Sequence, residues 1–276
     1  MRPTAASCAS SAASTSSRDA VGGRLVQARS YPISIDVAAL EDVAASPETA
    51  AYLAQLPATG QLLLRVDRTD PSKNIVRGFT AFELMLSEHP ELHGQVVFLA
   101  LLQPSRQDVP EYASYLTQIG AAAARVNARF GTGSWQPVDL RLASDLPLAV
   151  AAYRRCDVLV VNAIADGMNL VAKEAVIVNE HDMVLALSES TGAHGELGNF
   201  AVTLHPFDVA QQADALHQAL TMPQQQRTEL LRAAAEVVRH NDVQRWLTIQ
   251  LTDLASIATN TEHAATATSV PDPPRQ

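Results

Sequence analysis

Two carboxylates and a glycine follow the apolar run Val158–Val161, in the segment Asp166–Glu174 with the sequence DGMNLVAKE. An apolar run followed by such a turn predicts a strand that leads into a helix. The first amides of that helix would lack intrahelical partners, and together with the helix dipole they could bind an anion. These amides belong to Gly167, Met168, Asn169 and Leu170.

The two carboxylates of this segment, Asp166 and Glu174, lie eight residues apart, which is a little more than two turns of a helix. Both could therefore face one ligand. The spacing suits a sugar at one end and a ribose at the other, with a diphosphate between them. The alternative interpretation is a capped helix in a parallel sheet, in which Asp166 is only the N-cap.

Two cations, Arg68 and Lys73, follow a second apolar run and precede a helical pattern that begins near Asn74. They should therefore lie at the carboxyl-terminal edge of a sheet, where open α/β sheets bind ligands. Fixed cations at that position would stabilise the negative charge that develops on a departing diphosphate. The alternative is pairing at the surface with the nearby carboxylates of Asp67, Asp70 and Glu83.

Arg106 follows a third apolar run, Val97–Leu102, and should lie at the same edge of the sheet. An arginine at a strand end could bind an anionic ligand. It could equally cap the neighbouring helix or pair with Asp108 and Glu111.

The chain as a whole alternates short apolar runs with helical patterns, which predicts an α/β fold with a parallel sheet and helices on both faces. Strands are predicted at residues 31–36, 61–67, 95–102, 136–142, 157–161, 182–187 and 200–204. Helices are predicted at 37–55 with a break near Pro47, 74–88, 108–129, 145–155, 169–179, 207–219, 223–239 and 242–258. The segments outside the predicted domain 23–258, namely 1–22 and 259–276, lack a core pattern and are predicted to be disordered.

The composition argues against several classes of protein. With 20 basic and 29 acidic residues the net charge is −9, which speaks against a nucleic-acid surface or an anionic-membrane partner. No apolar run is long enough for a membrane helix.

The two cysteines, Cys8 and Cys156, offer neither a disulfide framework nor a metal site, which fits a reducing cytoplasm. His194 and His205 have no second ligand at useful spacing, so no metal is predicted.

The segment Asp166–Glu174 resembles the donor-site signature of glycosyltransferase family 20, the trehalose-6-phosphate synthase family. Three further stretches resemble the family in the same order and at about the same spacing. They are Tyr31–Asp36 (YPISID), Val66–Lys73 (VDRTDPSK) and Pro104–Val109 (PSRQDV). The similarity extends from about Gly23 to Ile257 and corresponds only to the family's C-terminal half.

The resemblance implies the Rossmann-like, nucleotide-sugar-binding C-terminal domain of a GT-B glycosyltransferase, with the N-terminal domain missing. It implies transfer of glucose from a nucleoside diphosphate glucose to a sugar phosphate, with retention of configuration and without a metal or other cofactor. Arg68 and Lys73 would be the electrostatic catalysts, and Arg106 would bind the acceptor phosphate. On the donor side, Asp166 would hold sugar hydroxyls, the amides of Gly167 to Leu170 would contact the donor, and Glu174 would bind the ribose.

Several alternatives stay open. Departures from the family pattern at Thr69, Pro71, Asn74 and Ala165 allow a related synthase that acts on glycerol phosphate or on a cyclitol. An inactive donor-binding fragment is a second alternative, because a GT-B enzyme forms its cleft from two domains. The sequence does not determine the nucleotide, the acceptor or whether the protein forms a homo-oligomer.

Overall fold

The computed structural model describes residues 16–21, 24–56 and 60–267. These residues fall into two compact units. The larger unit is Ile35–His240, and the smaller unit combines the described parts of 1–34 and 241–276.

A six-stranded sheet, parallel throughout, forms the centre of the larger unit. In spatial order its strands are β5 (Val138–Leu142), β4 (Val96–Gln103), β3 (Gln61–Arg68), β6 (Val158–Val161), β7 (Val184–Ser188) and β8 (Val202–Leu204). The chain builds β3, β4 and β5 outwards in one direction and then returns to place β6 on the other side of β3. Such a switch point opens a crevice at the carboxyl ends of β3 and β6.

Helices follow the strands and cover both faces of the sheet. They are α1 (Val37–Ala44), α2 (Pro47–Leu53), α3 (Ile75–Glu88), α4 (Pro110–Phe130), α5 (Leu146–Arg155), α6 (Leu170–Val178), α7 (His194–Leu197), α8 (Val209–Thr221) and α9 (Gln224–His240). The predicted break near Pro47 is confirmed. Ser46 accepts a hydrogen bond from the Thr49 amide at 3.2 Å, and Pro47 occupies the first helical position.

The strand side chains alternate between two apolar cores, one on each face of the sheet. On one face Leu63 and Phe98 lie among buried residues of α3, α4 and α8. Phe98 contacts Phe79 and Phe82 edge to face, with ring centroids 5.4 and 5.2 Å away. On the other face Leu64 packs with residues of α5, α6 and α9. Since both faces are covered, the predicted Rossmann-like α/β class is confirmed.

The smaller unit has three described elements: the antiparallel hairpin strands β1 (Ser16–Val21) and β2 (Arg24–Arg29), and the helix α10 (Val243–Ala267). Within this unit the Tyr31 hydroxyl donates to Asp253 at 2.7 Å, and the Trp246 indole donates to the Tyr31 carbonyl at 3.1 Å. These bonds attach the segment after β2 to α10. Neither α10 nor any other helix in the described part of the chain is long and apolar enough to cross a bilayer.

The strand predicted at residues 31–36 is wrong, because this segment forms neither a strand nor a helix. No described strand pairs with it, and Pro32 has no amide to donate to a ladder. The segment instead ends at Asp36, whose carboxylate accepts the Ala39 amide at 3.0 Å and caps α1.

The predicted disorder also differs from the structure at both ends of the chain. Residues 16–21 form β1, because their backbone groups pair with β2 and need no apolar side chains to do so. At the other end α10 continues to Ala267, beyond the predicted limit of 258. Residues 1–15, 22 and 268–276 lie outside the described residues, and the limits of the domain 23–258 stay a prediction.

Candidate functional site

Two loops meet at the switch point between β3 and β6. The loop after β3 turns through a short 3-10 helix, Pro71–Lys73, whose start is capped by the Asp70 carboxylate 3.0 Å from the Ser72 amide. The loop after β6 leads to α6. The Ile164 amide donates to the Ser72 carbonyl at 2.8 Å, so the two loops are hydrogen-bonded to each other.

Asn74 joins the first loop to α3 in a left-handed conformation with a φ of 60°. Asparagine adopts this conformation more readily than most residues other than glycine. Its side-chain amide donates to the carbonyls of Asn162 and Pro206 at 2.9 and 2.7 Å. Asn74 departs from the family pattern, but asparagine suits the left-handed backbone at this position.

Lys73 lies between two carboxylates in the crevice. Its Nζ is 2.5 Å from Asp166 Oδ2 and 3.6 Å from Asp67 Oδ1. The side chains of Lys73, Asp166 and Asp67 are only 14%, 18% and 6% exposed, so solvent screens this cluster weakly. The structure thus brings together Lys73 and Asp166, which are 93 residues apart. The alternative pairing of Lys73 with Asp67 also occurs, whereas Asp70 and Glu83 do not pair with it among the described residues.

A fully buried arginine, Arg65, lies behind this pair on β3. Its Nε donates to Asp67 at 3.1 Å, and its Nη2 donates to the Lys73 carbonyl at 2.9 Å and to the Asn162 side chain at 2.7 Å. Burial raises the pKa of Asp67, while the charges of Arg65 and Lys73 act to lower it. Four charges of alternating sign therefore run from the core to the crevice, in the order Arg65, Asp67, Lys73 and Asp166.

The sequence prediction singled out neither Arg65 nor Asp67 as a site residue. The available signal was a pair of charged residues inside an otherwise apolar strand, because such residues are almost never fully buried without partners. Gly78 on α3 leaves the space that the arginine needs, since a β-carbon there would lie 2.7 Å from Arg65 Nη1. That Nη1 has no hydrogen-bond partner among the described residues.

Arg68, the last residue of β3, is exposed at the rim of the crevice. It makes no ion pair or side-chain hydrogen bond with any residue that the structure describes. Burial acts to raise the pKa of the nearby Asp70, but hydrogen bonds from Ser72 and Tyr112 and the charge of Arg68 hold it below its ordinary value. Arg68 is therefore a cation that an anionic ligand can reach.

Arg106 lies after β4 with a left-handed backbone, at a φ of 49°. Its guanidinium donates to the Tyr112 hydroxyl at 2.9 Å and lies over that ring, 5.4 Å from the centroid. The Tyr112 hydroxyl in turn donates to Asp70 at 3.3 Å, which connects Arg106 to the loop after β3. In the described part of the chain, neither Asp108 nor Glu111 pairs with Arg106.

The segment after β6 forms the predicted turn into a helix. Its N-cap is Asn169, which has a φ of 72° and accepts the Ala172 amide at 3.1 Å. The interpretation of Asp166 as only an N-cap is therefore wrong, and its carboxylate instead accepts from the Asn169 side chain at 3.1 Å. The amides of Gly167 to Leu170 donate to no other described residue, which leaves them open to an anion.

Two glycines shape this turn. A β-carbon on Gly167 would meet nothing within 4 Å, so a ligand can approach the backbone there. A β-carbon on Gly192 would lie 2.0 Å from the Gly167 carbonyl oxygen, so only glycine permits this contact. The Gly192 amide donates to the Asp166 carbonyl at 3.0 Å, and the Ala193 amide donates to the Met168 carbonyl at 2.8 Å. The segment that follows β7 therefore fixes this turn through two hydrogen bonds.

Glu174, on α6, is half-buried and accepts a hydrogen bond from the Tyr153 hydroxyl at 3.1 Å. Burial raises the pKa of Glu174, and the bond from Tyr153 offsets this only in part. The carboxylate keeps further lone pairs with which it could accept ligand hydroxyls.

Arg68, Arg106 and Glu174 form no hydrogen bond or ion pair with the Lys73–Asp166 pair among the described residues.

A cavity of about 640 Å³ adjoins the turn, and no residue of it was among the predicted site residues. It is lined by Glu189, Ser190, His205, Pro206, Phe207, Asp208 and Val209. The Asp166 amide donates to the Ser190 carbonyl at 3.3 Å, which joins the cavity wall to the site. His205 lies 2.9 Å from Glu189, so this histidine pairs with a carboxylate.

Comparison with known proteins identifies the family. The sequence matches Glycosyltransferase family 20 over residues 6–256. A trehalose-6-phosphate synthase from Sodalis glossinidius is 35% identical over 251 residues, which cover 89% of this chain and 53% of that protein.

Solved structures share the fold. One from E. coli, described as trehalose-6-phosphate bound with UDP-2-fluoro glucose, has a TM-score of 0.80 at 30% identity and covers 87% of this chain and 56% of that one. An alpha,alpha-trehalose-phosphate synthase (UDP-forming) from Burkholderia xenovorans, in complex with glucose-6-phosphate, has a TM-score of 0.79 at 31% identity, with 88% and 54% covered. The predicted GT-B type of fold is thus confirmed, and the chain spans about half the length of these relatives. The chain belongs to glycosyltransferase family 20.

Proposed function

We propose that this chain supplies the donor-binding half of a retaining glycosyltransferase that transfers glucose from a nucleoside diphosphate glucose to a sugar phosphate, as in trehalose biosynthesis. The observation that carries the proposal is the meeting of Lys73, Asp166 and the free α6 amides at the switch point between β3 and β6. Family membership and the ligands of two related structures, UDP-2-fluoro glucose and glucose-6-phosphate, support it.

The donor's diphosphate would lie at the start of α6, where the free amides and the helix dipole favour an anion. Lys73 would turn from Asp166 towards this diphosphate, and the released carboxylate would accept hydroxyls of the glucosyl group. Arg68, exposed at the rim, would contact the same diphosphate. Glu174 would accept hydroxyls of the ribose further along α6.

The reaction breaks the bond between the anomeric carbon and the diphosphate oxygen, and negative charge accumulates on the departing diphosphate. Arg68 and Lys73 would stabilise this charge more strongly in the transition state than in the bound donor, which lowers the barrier. The acceptor hydroxyl would attack the anomeric carbon on the face that the diphosphate leaves, and the diphosphate would take its proton. This course retains the anomeric configuration, and the two cations and the amides supply its positive charge without a metal.

The acceptor would be held by its phosphate. Arg106 presents an exposed guanidinium near the loop after β3, and Tyr112 fixes its direction. An arginine can bind two oxygens of a phosphate at once. Glucose 6-phosphate is the proposed acceptor, because one related structure holds it.

Turnover would require a second, N-terminal domain, because the chain spans about half the length of its relatives. Such a domain would complete the cleft and exclude water from it. The alternative for the chain by itself is a donor-binding fragment without activity. A cytoplasmic location and a homo-oligomer stay predictions.

Calorimetry with UDP, GDP and ADP tests the donor site directly. One wall of a cleft should bind a nucleoside diphosphate with a Kd on the order of 0.1–1 mM, which is about −4 to −5.5 kcal/mol. Arg68→Ala and Lys73→Ala should each weaken this binding by about tenfold, or ~1.4 kcal/mol.

The matched control is Arg232→Ala, which removes an arginine on α9 that is 73% exposed and pairs only with Glu236 among the described residues. It should leave the nucleotide affinity unchanged. The proposal fails if the folded protein binds none of the three nucleotides, or if Arg232→Ala weakens binding as much as Arg68→Ala does.

A further inference from the structure

A second group of potential ligands lies at the opposite edge of the sheet from the crevice. His89 and Glu91 follow α3, in the connection that leads to the amino end of β4. His217 lies near the end of α8, which packs beside α3. The three side chains come from two separate parts of the chain and converge on one point.

The distances in this group suit a metal ion. Glu91 Oε1 is 3.1 Å from His89 Nδ1 and 3.9 Å from His217 Nε2, and the three ligand atoms all lie within 4.8 Å of one another. Zinc binds nitrogen and carboxylate oxygen at about 2.0–2.2 Å, so two ligand atoms of a tetrahedral site lie roughly 3.4 Å apart. The two distances from Glu91 lie on either side of this value.

Burial and ring geometry determine how the group would close on an ion. The side chains of His89 and His217 are 26% and 29% exposed, so each is partly covered by its neighbours and keeps room to turn at the surface. Glu91 is 63% exposed and can adjust to an ion. The two imidazole rings stack with centroids 3.6 Å apart and planes 4° apart. Because a metal binds in the plane of each imidazole, one ring would rotate out of the stack when the ion enters.

We propose that His89, Glu91 and His217 bind a divalent transition metal of the zinc type, with water as the fourth ligand. Two imidazoles and one carboxylate form a ligand set that zinc accepts. The ion would clamp the connection after α3 to α8. It supplies nothing to the crevice at the other edge of the sheet, so the proposal does not depend on the proposed glycosyl transfer.

Metal binding is measured on tag-free protein from which metals have been removed by a chelator. Zn²⁺ is titrated by calorimetry, and Co²⁺ is titrated by its visible absorption, which reports coordination by nitrogen and oxygen. One ion should bind per chain, and zinc should raise the melting temperature, because a ligand that binds only the folded state stabilises it. The absence of stoichiometric binding of both ions would overturn the proposal.

Variants locate the ion. His217→Ala and His89→Ala should each weaken zinc binding by at least about tenfold, since even groups that only orient a ligand cost 10–100-fold when removed. Glu91→Ala changes the most exposed member of the group and provides the same test should a histidine variant fail to fold. It should weaken zinc binding and reduce the rise in melting temperature.

The matched control is His205→Ala. His205 also lies beside a carboxylate, Glu189 at 2.9 Å, but no second histidine joins that pair in the described residues. This variant should keep the stoichiometry and affinity for zinc. Zinc binding that survives all three variants of the group, or that His205→Ala weakens to the same extent, would show that the ion binds elsewhere.

Discussion

At the scale of single residues, the crevice depends on a buried ion pair, and a half-buried ion pair with the same spacing lies on the edge strand β5. Arg65 and Asp67 on β3 are two residues apart and in contact at 3.1 Å, with side chains 0% and 6% exposed. Asp139 and Arg141 on β5 have the same spacing at 2.6 Å, but are 33% and 36% exposed. The same chemistry therefore occurs in two environments, and only the buried pair also contacts Lys73.

Asp67→Ala should destabilise the protein strongly, because it removes the acceptor of the buried Arg65 Nε and leaves that guanidinium with too little compensating charge. Removing one partner of a buried pair costs about 3–5 kcal/mol, whereas pairs that solvent reaches contribute about 0–1 kcal/mol. The matched variant Asp139→Ala should accordingly change little. Urea denaturation of both variants gives the free energies of unfolding. Equal losses in the two would show that burial of Asp67 is not what matters.

Glu174 should make stability depend on pH. Its pKa is raised in the folded state by burial, so the folded protein holds the proton of this group more tightly than the unfolded chain does. The stability from this group is fully present below the unfolded pKa, near 4.5, and is lost as the pH rises through the folded value. Glu174→Gln keeps a neutral acceptor for Tyr153 and removes this loss.

The Glu174→Gln variant should therefore be more stable than the original protein at pH 7.5, and the difference should vanish at pH 4. Urea denaturation at both pH values measures it. A Glu174→Gln variant that is less stable than the original protein at pH 7.5 would contradict this prediction. It would show that the ionised carboxylate is stabilised by a partner other than Tyr153. The same variant should bind nucleoside diphosphates more weakly, since a ribose-binding carboxylate would be lost.

At the scale of the elements, the turn before α6 depends on a glycine from another part of the chain. A β-carbon on Gly192 would lie 2.0 Å from the Gly167 carbonyl oxygen, and that carbonyl belongs to the proposed donor site. Gly192→Ala should therefore destabilise the protein by about 1–3 kcal/mol, as overpacking does, and should also weaken nucleotide binding.

Gly120→Ala is the control for this prediction. Gly120 lies inside α4, where a β-carbon would meet nothing within 4 Å. Alanine there should stabilise the helix by about 0.5–1 kcal/mol and leave nucleotide binding unchanged. Thermal denaturation and calorimetry on both variants separate the two outcomes. A Gly192→Ala protein that is as stable and binds as well as the Gly120→Ala protein would contradict the tight contact.

The helices and strands differ in how well the sequence predicts them. The helices and central strands of the larger unit follow from periodicity, because their apolar side chains must face one of two cores. Ile33 and Ile35 alternate like a strand, but periodicity does not reveal whether a partner strand exists, and here none is described. The cap of α6 was assigned to Asp166 in one interpretation, whereas a left-handed Asn169 takes that position.

The candidate site residues all come from motifs that are continuous in sequence, whereas Arg65 lies just outside the motif Val66–Lys73 and was not singled out. Arg65 contacts Asn162, which is 97 residues away, and no local pattern joins them. No local pattern joins Lys73 and Asp166 either, although both are candidate site residues, and the topology of the parallel sheet brings them side by side. Long-range pairing of this kind follows from the order of the strands, which the sequence pattern leaves undetermined.

At the scale of the whole molecule, the two edges of the sheet have different chemistry. The carboxyl-terminal edge collects cations, carboxylates and free amides around one crevice, as switch points in open α/β sheets do. The amino-terminal edge carries the two stacked histidines with Glu91. A ligand at one edge is thus separated by the sheet from a ligand at the other, and zinc should leave the affinity for UDP unchanged.

The last prediction concerns a two-domain protein made by joining this chain to the N-terminal half of a relative such as the Sodalis glossinidius synthase. With UDP-glucose and glucose 6-phosphate, this protein should transfer glucose, whereas the chain alone should not, because positioning both substrates can account for roughly 7–11 kcal/mol of a barrier. Arg68→Ala and Lys73→Ala should each lower kcat by roughly 100- to 1,000-fold, about 3–4 kcal/mol, by analogy with the loss of one oxyanion-hole donor. That loss exceeds the expected tenfold effect on nucleotide binding, since the diphosphate gains charge as the bond breaks.

Glu174→Ala should behave differently in the same two-domain protein, because a contact with the ribose is equally strong in the bound donor and in the transition state. It should raise the KM for UDP-glucose and leave kcat nearly unchanged, and Arg232→Ala should change neither constant. Steady-state kinetics on the four variants decides between the roles. If Arg68→Ala and Lys73→Ala raised only the KM while Glu174→Ala abolished kcat, the cations would serve to bind the donor and the carboxylate would take part in the chemical step.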